Sequence, residues 1–154
     1  MKDVRTYRNW TLLALRAALA ATIFPHGAQK VLGWFGGYGF QPTLDAFTTK
    51  MHIPAPLAVA AIAAEFLGAL GVLFGLFTRL SAAGVGITML VAAAMNLHNG
   101  YFMNWFEAQK GEGIEYFIPV LAISLLLLVE GAGQFSLDAL AKRTWRRAAV
   151  VAAA

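Results

Sequence analysis

Four long apolar stretches, separated by shorter polar segments, make up most of the chain. They run over about 10–33, 56–77, 80–102 and 114–131, and each is long enough to cross roughly 30 Å of hydrocarbon as a helix. Arg16 and Pro25 interrupt the first stretch and Glu65 the second, whereas the last two stretches have charge-free centres. The pattern predicts an all-α integral membrane protein, with a four-helix transmembrane bundle over residues 1–135.

The pattern changes over residues 136–154. Ser136 is a suitable N-cap, and helical spacing then places four cations on one face, Lys142, Arg143, Arg146 and Arg147. The other face carries Leu137, Leu140, Ala141 and Trp145. This segment is predicted to be an amphipathic cytoplasmic helix that lies on the anionic surface of the membrane.

The composition is that of a membrane protein and excludes several other classes. Of the 154 residues 59% are hydrophobic and 13% are charged, with a mean hydropathy of +0.63, whereas soluble domains carry about 25% charged residues. The chain contains no cysteine, which excludes disulfides, thiolate metal ligands and iron–sulfur clusters. Redox chemistry here would therefore depend on a bound cofactor or a partner protein, and no metal site is expected.

The distribution of positive charge predicts the orientation in the membrane. The net charge is +4, but the cations cluster near the termini and form no basic face, so no nucleic-acid partner is expected. With four spans, eight cations fall on the side of the termini, namely Lys2, Arg5, Arg8, Arg79, Lys142, Arg143, Arg146 and Arg147. The opposite side receives Lys30, Lys50 and Lys110. Because positive charge is enriched in cytoplasmic segments, both termini are predicted to be cytoplasmic.

Polar side chains within the spans are candidate functional residues, because an unpartnered charge inside a membrane is costly. Each span has at least one in its outer half, and together they are His26, Gln29, Lys30, Glu65, His98, Asn99 and Glu115. Such an arrangement is typical of a binding cavity between helices. We therefore expect one cavity that opens to the outer side, covered by the glycine- and aromatic-rich segment 33–40.

Several of these residues also have a purely structural interpretation. Arg16 lies roughly 7 Å below Glu65 in predicted depth, so the two could form an ion pair within the membrane. His98 could be an interfacial histidine that faces water, and Lys30 a cation whose ammonium reaches the surface. Segment 33–40 could be a simple interfacial anchor.

Two other features have structural interpretations, and one residue has no assigned role. His52 is expected to be an ordinary solvent-exposed histidine in the outer loop. A series of small residues in the second span predicts a close-packed helix face, formed by Ala64, Gly68, Gly71 and Gly75. The sequence suggests no role for Glu130.

The order of short motifs resembles the DoxX family of small four-span membrane proteins. The resemblance opens with His26-Gly27-Ala28-Gln29-Lys30 and Gly33-Trp34-Phe35-Gly36-Gly37. It continues with Ile53-Pro54-x-Pro56, Ala64-Glu65-Phe66, Leu76-x-Thr78-Arg79, Met89-Leu90-Val91-Ala92, His98-x-Gly100-x-Phe102, Glu115-Tyr116 and Ser136-Leu137-Asp138. The family commonly has Gly-Pro-Gly at the end of the fourth span, where this chain has Gly131-Ala132-Gly133.

The resemblance implies a multi-pass protein of a bacterial or archaeal inner membrane that is associated with redox complexes, and the family name is linked to a thiosulfate:quinone oxidoreductase subunit. The first hypothesis is accordingly a quinone-linked redox subunit. In it His26 and His98 would hydrogen-bond to the quinone carbonyls, and Glu65 or Glu115 would exchange protons with the outer side. An anion such as thiosulfate would bind near Lys30.

The alternative is a non-catalytic subunit that stabilises a larger membrane complex or a homo-oligomer. Small-residue faces, such as that of Gly68 and Gly71, suit helix docking without any chemistry. A haem held by His26 and His98 is disfavoured, because neither histidine has neighbouring small residues that would open space for a porphyrin. Transport is also disfavoured, since the four spans carry no paired discontinuous repeats.

Overall fold

The computed structural model describes residues 2–107 and 110–152, and the secondary structure within these ranges is helical. The seven α-helices are α1 Lys2–Leu32, α2 Phe40–Asp45, α3 Ala55–Ala63, α4 Ala69–Phe74, α5 Thr78–Asn96, α6 Phe117–Glu130 and α7 Leu137–Ala152. A π-helical turn, Ala46–Lys50, follows α2, and a 3-10 turn, Leu97–Asn99, follows α5. A second π-helical turn, Ala64–Gly68, joins α3 to α4, so these three elements form one continuous helix.

Three helical segments of the described residues are long and apolar enough to cross a membrane. They are Asp3–Leu32, Ala55–Phe74 and Thr78–Asn99, in agreement with the first three predicted spans. The fourth predicted span corresponds to α6, an apolar helix of 14 residues that is only about 21 Å long at 1.5 Å per residue. The all-α class is therefore confirmed, and the count of four spans stays a prediction.

The core is formed by apolar side chains where α1, α4, α5 and α6 meet. Its buried members are Leu12, Leu19, Ile23, Ala69, Val72, Ala82, Val85, Met89, Val120 and Leu127. Large apolar side chains such as Leu67, Ile87 and Leu125 are exposed on the outside of the bundle. An apolar exterior around a packed core is expected when the surrounding solvent is lipid.

The predicted small-residue face packs between helices of this same chain. A Cβ atom on Gly68 would lie 3.1 Å from Cγ2 of Val85, and one on Gly71 would clash with the Ser81 hydroxyl, both on α5. On α5, a Cβ on Gly84 would meet the Ala64 side chain at 3.4 Å. The predicted close packing against a neighbouring helix is confirmed for Ala64, Gly68 and Gly71, which face α5, whereas Gly75 faces Arg16 and Ser136.

Two ends of the bundle can be distinguished by the segments they carry. The loop end holds the connections 33–54, 97–107 and 110–116, and the terminal end holds the start of α1, the turn between α4 and α5, and the start of α7. At the terminal end α6 stops at Glu130, and Gly131 and Gly133 have φ of 78° and 74°. Glycine adopts these angles without strain, so the helix ends here without the proline that is common in the family.

The segment after the bundle is helical and begins as predicted. The Ala139 amide donates to Ser136 Oγ at 3.2 Å, which confirms Ser136 as the N-cap of α7. The side chains of Lys142 and Arg143 are exposed, whereas those of Arg146 and Arg147 lie outside the described part of the structure.

Candidate functional site

The centre of the candidate site is an ion pair between the buried Glu65 and the partly buried Lys30. Glu65 lies in the π-helical turn between α3 and α4 and is 4% exposed, and the Lys30 ammonium donates to its Oε2. Gly27 makes this contact possible, because a Cβ atom there would lie only 2.7 Å from the backbone of Glu65. The α1 backbone thus lies directly against the π-helical turn, and Lys30, nearly one turn further along, reaches the carboxylate. π-Helical turns within longer helices often occur at functional sites.

Arg16 does not pair with Glu65, so the predicted membrane ion pair between them is wrong. Arg16 is 1% exposed and lies at the terminal end, where its guanidinium donates to four backbone carbonyls. The acceptors are Val72 at 2.8 Å, Leu73 at 2.6 Å, Ala132 at 3.0 Å and Phe135 at 2.7 Å. The last carbonyls of α4, such as that of Leu73, have no partner within the helix, whereas the Val72 carbonyl also accepts from the Gly75 amide at 3.2 Å. A guanidinium with five N–H donors can satisfy several carbonyls at once.

Glu65 also lines a cleft of about 610 Å³ between the second and third predicted spans. One wall is formed by α3 and the π-helical turn, the other by α5, and the residues 47–54 close the loop end. The spans are in contact at Ala64 and Gly84, which form the base of the cleft. Most of the lining is apolar, and its polar side chains are His52, Glu65, Thr88 and Asn96. A largely apolar cavity of this volume with a few polar groups is typical of small-molecule sites.

The segment that closes the cleft differs from the predicted one. Segment 33–40 folds onto the end of α1, where the Gly39 amide donates to the Gln29 carbonyl at 3.1 Å and Gln29 Nε2 donates to the Phe35 carbonyl at 3.1 Å. The cover of the cleft is supplied by Phe47, Met51, His52, Ile53 and Pro54. His52 is exposed, as predicted, and it also lies at the cleft, a position that the sequence did not indicate. Its φ of 54°, rare for a residue with a side chain, was not detectable in the sequence.

The remaining predicted site residues lie outside this cleft. His26 packs edge-on against the Tyr116 ring at 6.1 Å, and the Tyr116 hydroxyl is buried and has no hydrogen-bond partner in the described part of the protein. His98 and Asn99 line a separate, small polar pocket with Lys110 and Gly111.

Glu115 holds the connection between α5 and α6 in place. Its carboxylate accepts from the Met103 amide at 3.2 Å and from Trp105 Nε1 at 3.4 Å. The structure therefore brings Lys30 and Glu65 together but does not unite the seven predicted side chains in one cavity. Among the residues described, no cluster of three histidine or acidic side chains is placed to hold a metal ion.

Glu130, for which the sequence suggested no role, has a partner at the terminal end. Its carboxylate lies 3.8 Å from Nε of Arg8 at the exposed surface. An exposed pair at this distance contributes about 0–1 kcal/mol to stability.

Comparison with known proteins places this helical architecture in a family. The DoxX family model matches residues 11–99. The chain belongs to the DoxX family. It is 32% identical over 140 residues to Inner membrane protein YqjF of Escherichia coli, a match that covers 87% of this chain and 94% of that protein. It is also 29% identical over 144 residues to an uncharacterized protein of Haemophilus influenzae, with 88% and 85% covered. No solved structure matches the chain.

The DoxX match contains the main features of the candidate site. The Lys30–Glu65 pair, Arg16 and every residue that lines the cleft fall within residues 11–99, whereas α6 and α7 lie beyond that range. Together with the apolar helices, the family and the inner membrane relative identify this chain as a membrane protein.

Proposed function

We propose that this DoxX protein is a membrane subunit of a quinone-linked oxidoreductase assembly and that its cleft binds the quinone. The observation that carries the proposal is the cleft of about 610 Å³, which combines apolar walls with a buried carboxylate at its base. A quinone has an apolar body and two carbonyl oxygens that accept hydrogen bonds. The cleft offers contacts for both parts of such a molecule.

The position of the cleft also suits a ligand that is dissolved in lipid. Leu57 on one wall and Ile87 and Val91 on the other are 61%, 64% and 51% exposed. These walls therefore continue onto the exterior of the bundle, and the cleft opens sideways between α3 and α5. We propose that the quinone enters along this opening from the bilayer.

Glu65 is the group proposed to exchange protons with the ligand. Reduction of a quinone to a quinol takes up two electrons and two protons. The electrons would come from the partner oxidoreductase, because the chain has no cysteine and no metal-ligand cluster in its described part. Lys30 stabilises the ionised carboxylate between proton transfers. The proposal includes a topology of four membrane spans with cytoplasmic termini, which the excess of cations on the terminal side predicts.

The alternative function, a purely structural subunit, loses part of its support. It relied on small-residue faces free to dock onto a partner, but Gly68 and Gly71 pack against α5 and the turn before it within this chain. A partner complex or a homo-oligomer would have to use other surfaces of the bundle.

Two matched variants of α3 test the proposal. Ala61 lines the cleft, whereas Val59 is 41% exposed on the same helix and does not line it. Ala61→Phe adds bulk inside the cleft, and Val59→Phe adds bulk to the outer surface. Both proteins are purified in lipid nanodiscs and titrated with a short-chain ubiquinone analogue.

We expect Ala61→Phe to weaken binding by about tenfold or more, equivalent to about 1.4 kcal/mol, while Val59→Phe binds like the wild type. Glu65→Gln should retain a folded protein and bind more weakly than the wild type. Equal binding by the two phenylalanine variants, or absence of binding by the wild type, would refute the quinone site.

A further inference from the structure

The last described helix, α7, is held to the bundle at its base. The Asp138 carboxylate accepts from the amides of Phe77 and Thr78 at 2.8 and 3.0 Å and from the Thr78 hydroxyl at 2.8 Å. The Asp138 amide donates to the Gly75 carbonyl at 2.9 Å. With Ser136 as the N-cap, these bonds fix the first turn of α7 to the turn between α4 and α5.

Beyond that first turn the helix is uncovered. Residues 140–145 are all exposed, and the exposure includes large apolar side chains, Leu140 at 56% and Trp145 at 79%. At 100° per residue Leu140 and Trp145 share one side of the helix with Leu137, and Lys142 and Arg143 occupy the opposite side. An apolar side that no part of the described chain covers requires an external partner.

The surroundings of α7 indicate which partner this is. At the terminal end of the bundle the Trp10 and Phe135 rings pack at 4.8 Å, just before the start of α7. Two exposed arginines, Arg8 and Arg79, also lie at this end, and Arg79 donates to the Val129 carbonyl at 2.9 Å. Tryptophan and arginine at the ends of apolar helices are typical of the boundary between lipid and water. These side chains favour the depth of the lipid headgroups for the base of α7.

We infer that α7 binds the surface of an anionic lipid leaflet, with the side of Leu140 and Trp145 in the acyl boundary and Lys142 and Arg143 at the headgroups. The apolar side gives contact with the acyl chains, and the cations are complementary to negative headgroups. Arg146 and Arg147 add two further cations to the same helix in the sequence. This inference is independent of any ligand in the cleft.

The absence of cysteine in the sequence allows a direct test. Single spin labels are placed at Leu140→Cys and, as the matched control on the opposite side, at Lys142→Cys in the full chain. Each protein is reconstituted in nanodiscs that contain phosphatidylglycerol, and in nanodiscs of phosphatidylcholine alone. Accessibility of the label to oxygen, which concentrates in lipid, is compared with accessibility to a water-soluble nickel complex.

In the anionic nanodiscs we expect the ratio of oxygen to nickel accessibility to be several-fold higher at position 140 than at position 142. Removal of the negative lipid should reduce that difference. In the Leu140→Cys protein a combined Arg143→Gln, Arg146→Gln and Arg147→Gln substitution should lower the ratio at position 140. Equal ratios at the two positions would refute leaflet binding and favour a protein partner for this face. An unchanged difference in neutral nanodiscs would refute the requirement for anionic lipid.

Discussion

Replacing Arg16 by methionine is expected to destabilise the protein by about 3–5 kcal/mol. The substitution removes four hydrogen bonds between a charged donor and backbone carbonyls, at 2.6–3.0 Å, and hydrogen bonds to charged groups contribute about 1.5–3 kcal/mol each. Part of this loss is offset, because folding no longer has to bury a guanidinium that is 1% exposed, at a cost of several kcal/mol. Buried carbonyl oxygens that lose this donor and gain no other cost about 1–3 kcal/mol each, so the net effect is destabilising.

The measurement is reversible unfolding in mixed detergent micelles, followed by tryptophan fluorescence. Trp10 is a suitable reporter because its ring packs against Phe135, which also accepts a hydrogen bond from Arg16. Arg79→Gln is the matched control, since Arg79 is exposed and makes one bond, to the Val129 carbonyl. It should change the free energy of unfolding by no more than about 0.5 kcal/mol.

Double-mutant cycles test whether Glu65 is coupled in stability to Lys30 or to Arg16. Arg16→Met and Glu65→Gln should be additive within about 0.5 kcal/mol, because Arg16 contacts carbonyls at the other end of the bundle. Lys30→Met and Glu65→Gln should show a coupling of about 0.5–3 kcal/mol, as expected for residues in direct contact. The reasoning fails if Arg16→Met costs no more than Arg79→Gln, or if Glu65 couples more strongly to Arg16 than to Lys30.

Substitutions at two further contacts test how the helices are held together. Gly27→Ala should destabilise the protein by about 1–3 kcal/mol, because its Cβ would lie 2.7 Å from the Glu65 backbone. The control is Gly84→Ala, whose Cβ has its nearest neighbour at 3.4 Å, and it should be neutral or stabilising in the same unfolding assay. Asp138→Ala should cost about 1–2 kcal/mol, since the start of α5 loses its cap at Thr78, and Asp138→Asn should recover part of that loss. A thermal unfolding midpoint unchanged by Asp138→Ala would contradict the role given to this carboxylate.

The helical class and most of the helix positions could be predicted from the sequence because they depend on local properties. Apolar stretches of membrane length give helices in any surroundings without water, and Ser136 followed by Asp138 is a local N-terminal signal. The same signal could not reveal that Asp138 also caps α5, across 60 residues of sequence. That contact exists only once α7 lies beside the turn between α4 and α5, which is a tertiary arrangement.

The cleft was less predictable than the bundle, because its position depends on how two helices diverge. Polar residues identified Glu65 correctly as an unusual group in the second span, but most of the lining is apolar, with residues such as alanine, isoleucine and methionine that occur throughout the chain. The cover over residues 47–54 has no composition that distinguishes it from an ordinary loop. Segment 33–40 was predicted to cover the cavity because it is rich in glycine and aromatic residues. In the structure its glycines instead allow the chain to turn back onto the end of α1.

Which cation pairs with Glu65 depends on the axial position of α1 relative to the second span. That position is set by the packing of two helices, so it could not be derived from the sequence of either helix alone. Arg16 and Lys30 are 14 residues apart, so at 100° per residue they lie on nearly the same face of α1 and both face the core. The contact of Gly27 with the Glu65 backbone fixes the axial position of α1 relative to the second span. Along α1, Lys30 lies nearly one turn from this contact and Arg16 lies about 16 Å from it, at 1.5 Å per residue. Arg16 then reaches the Val72 and Leu73 carbonyls at the end of α4, so its hydrogen bonds go to the backbone there and not to Glu65.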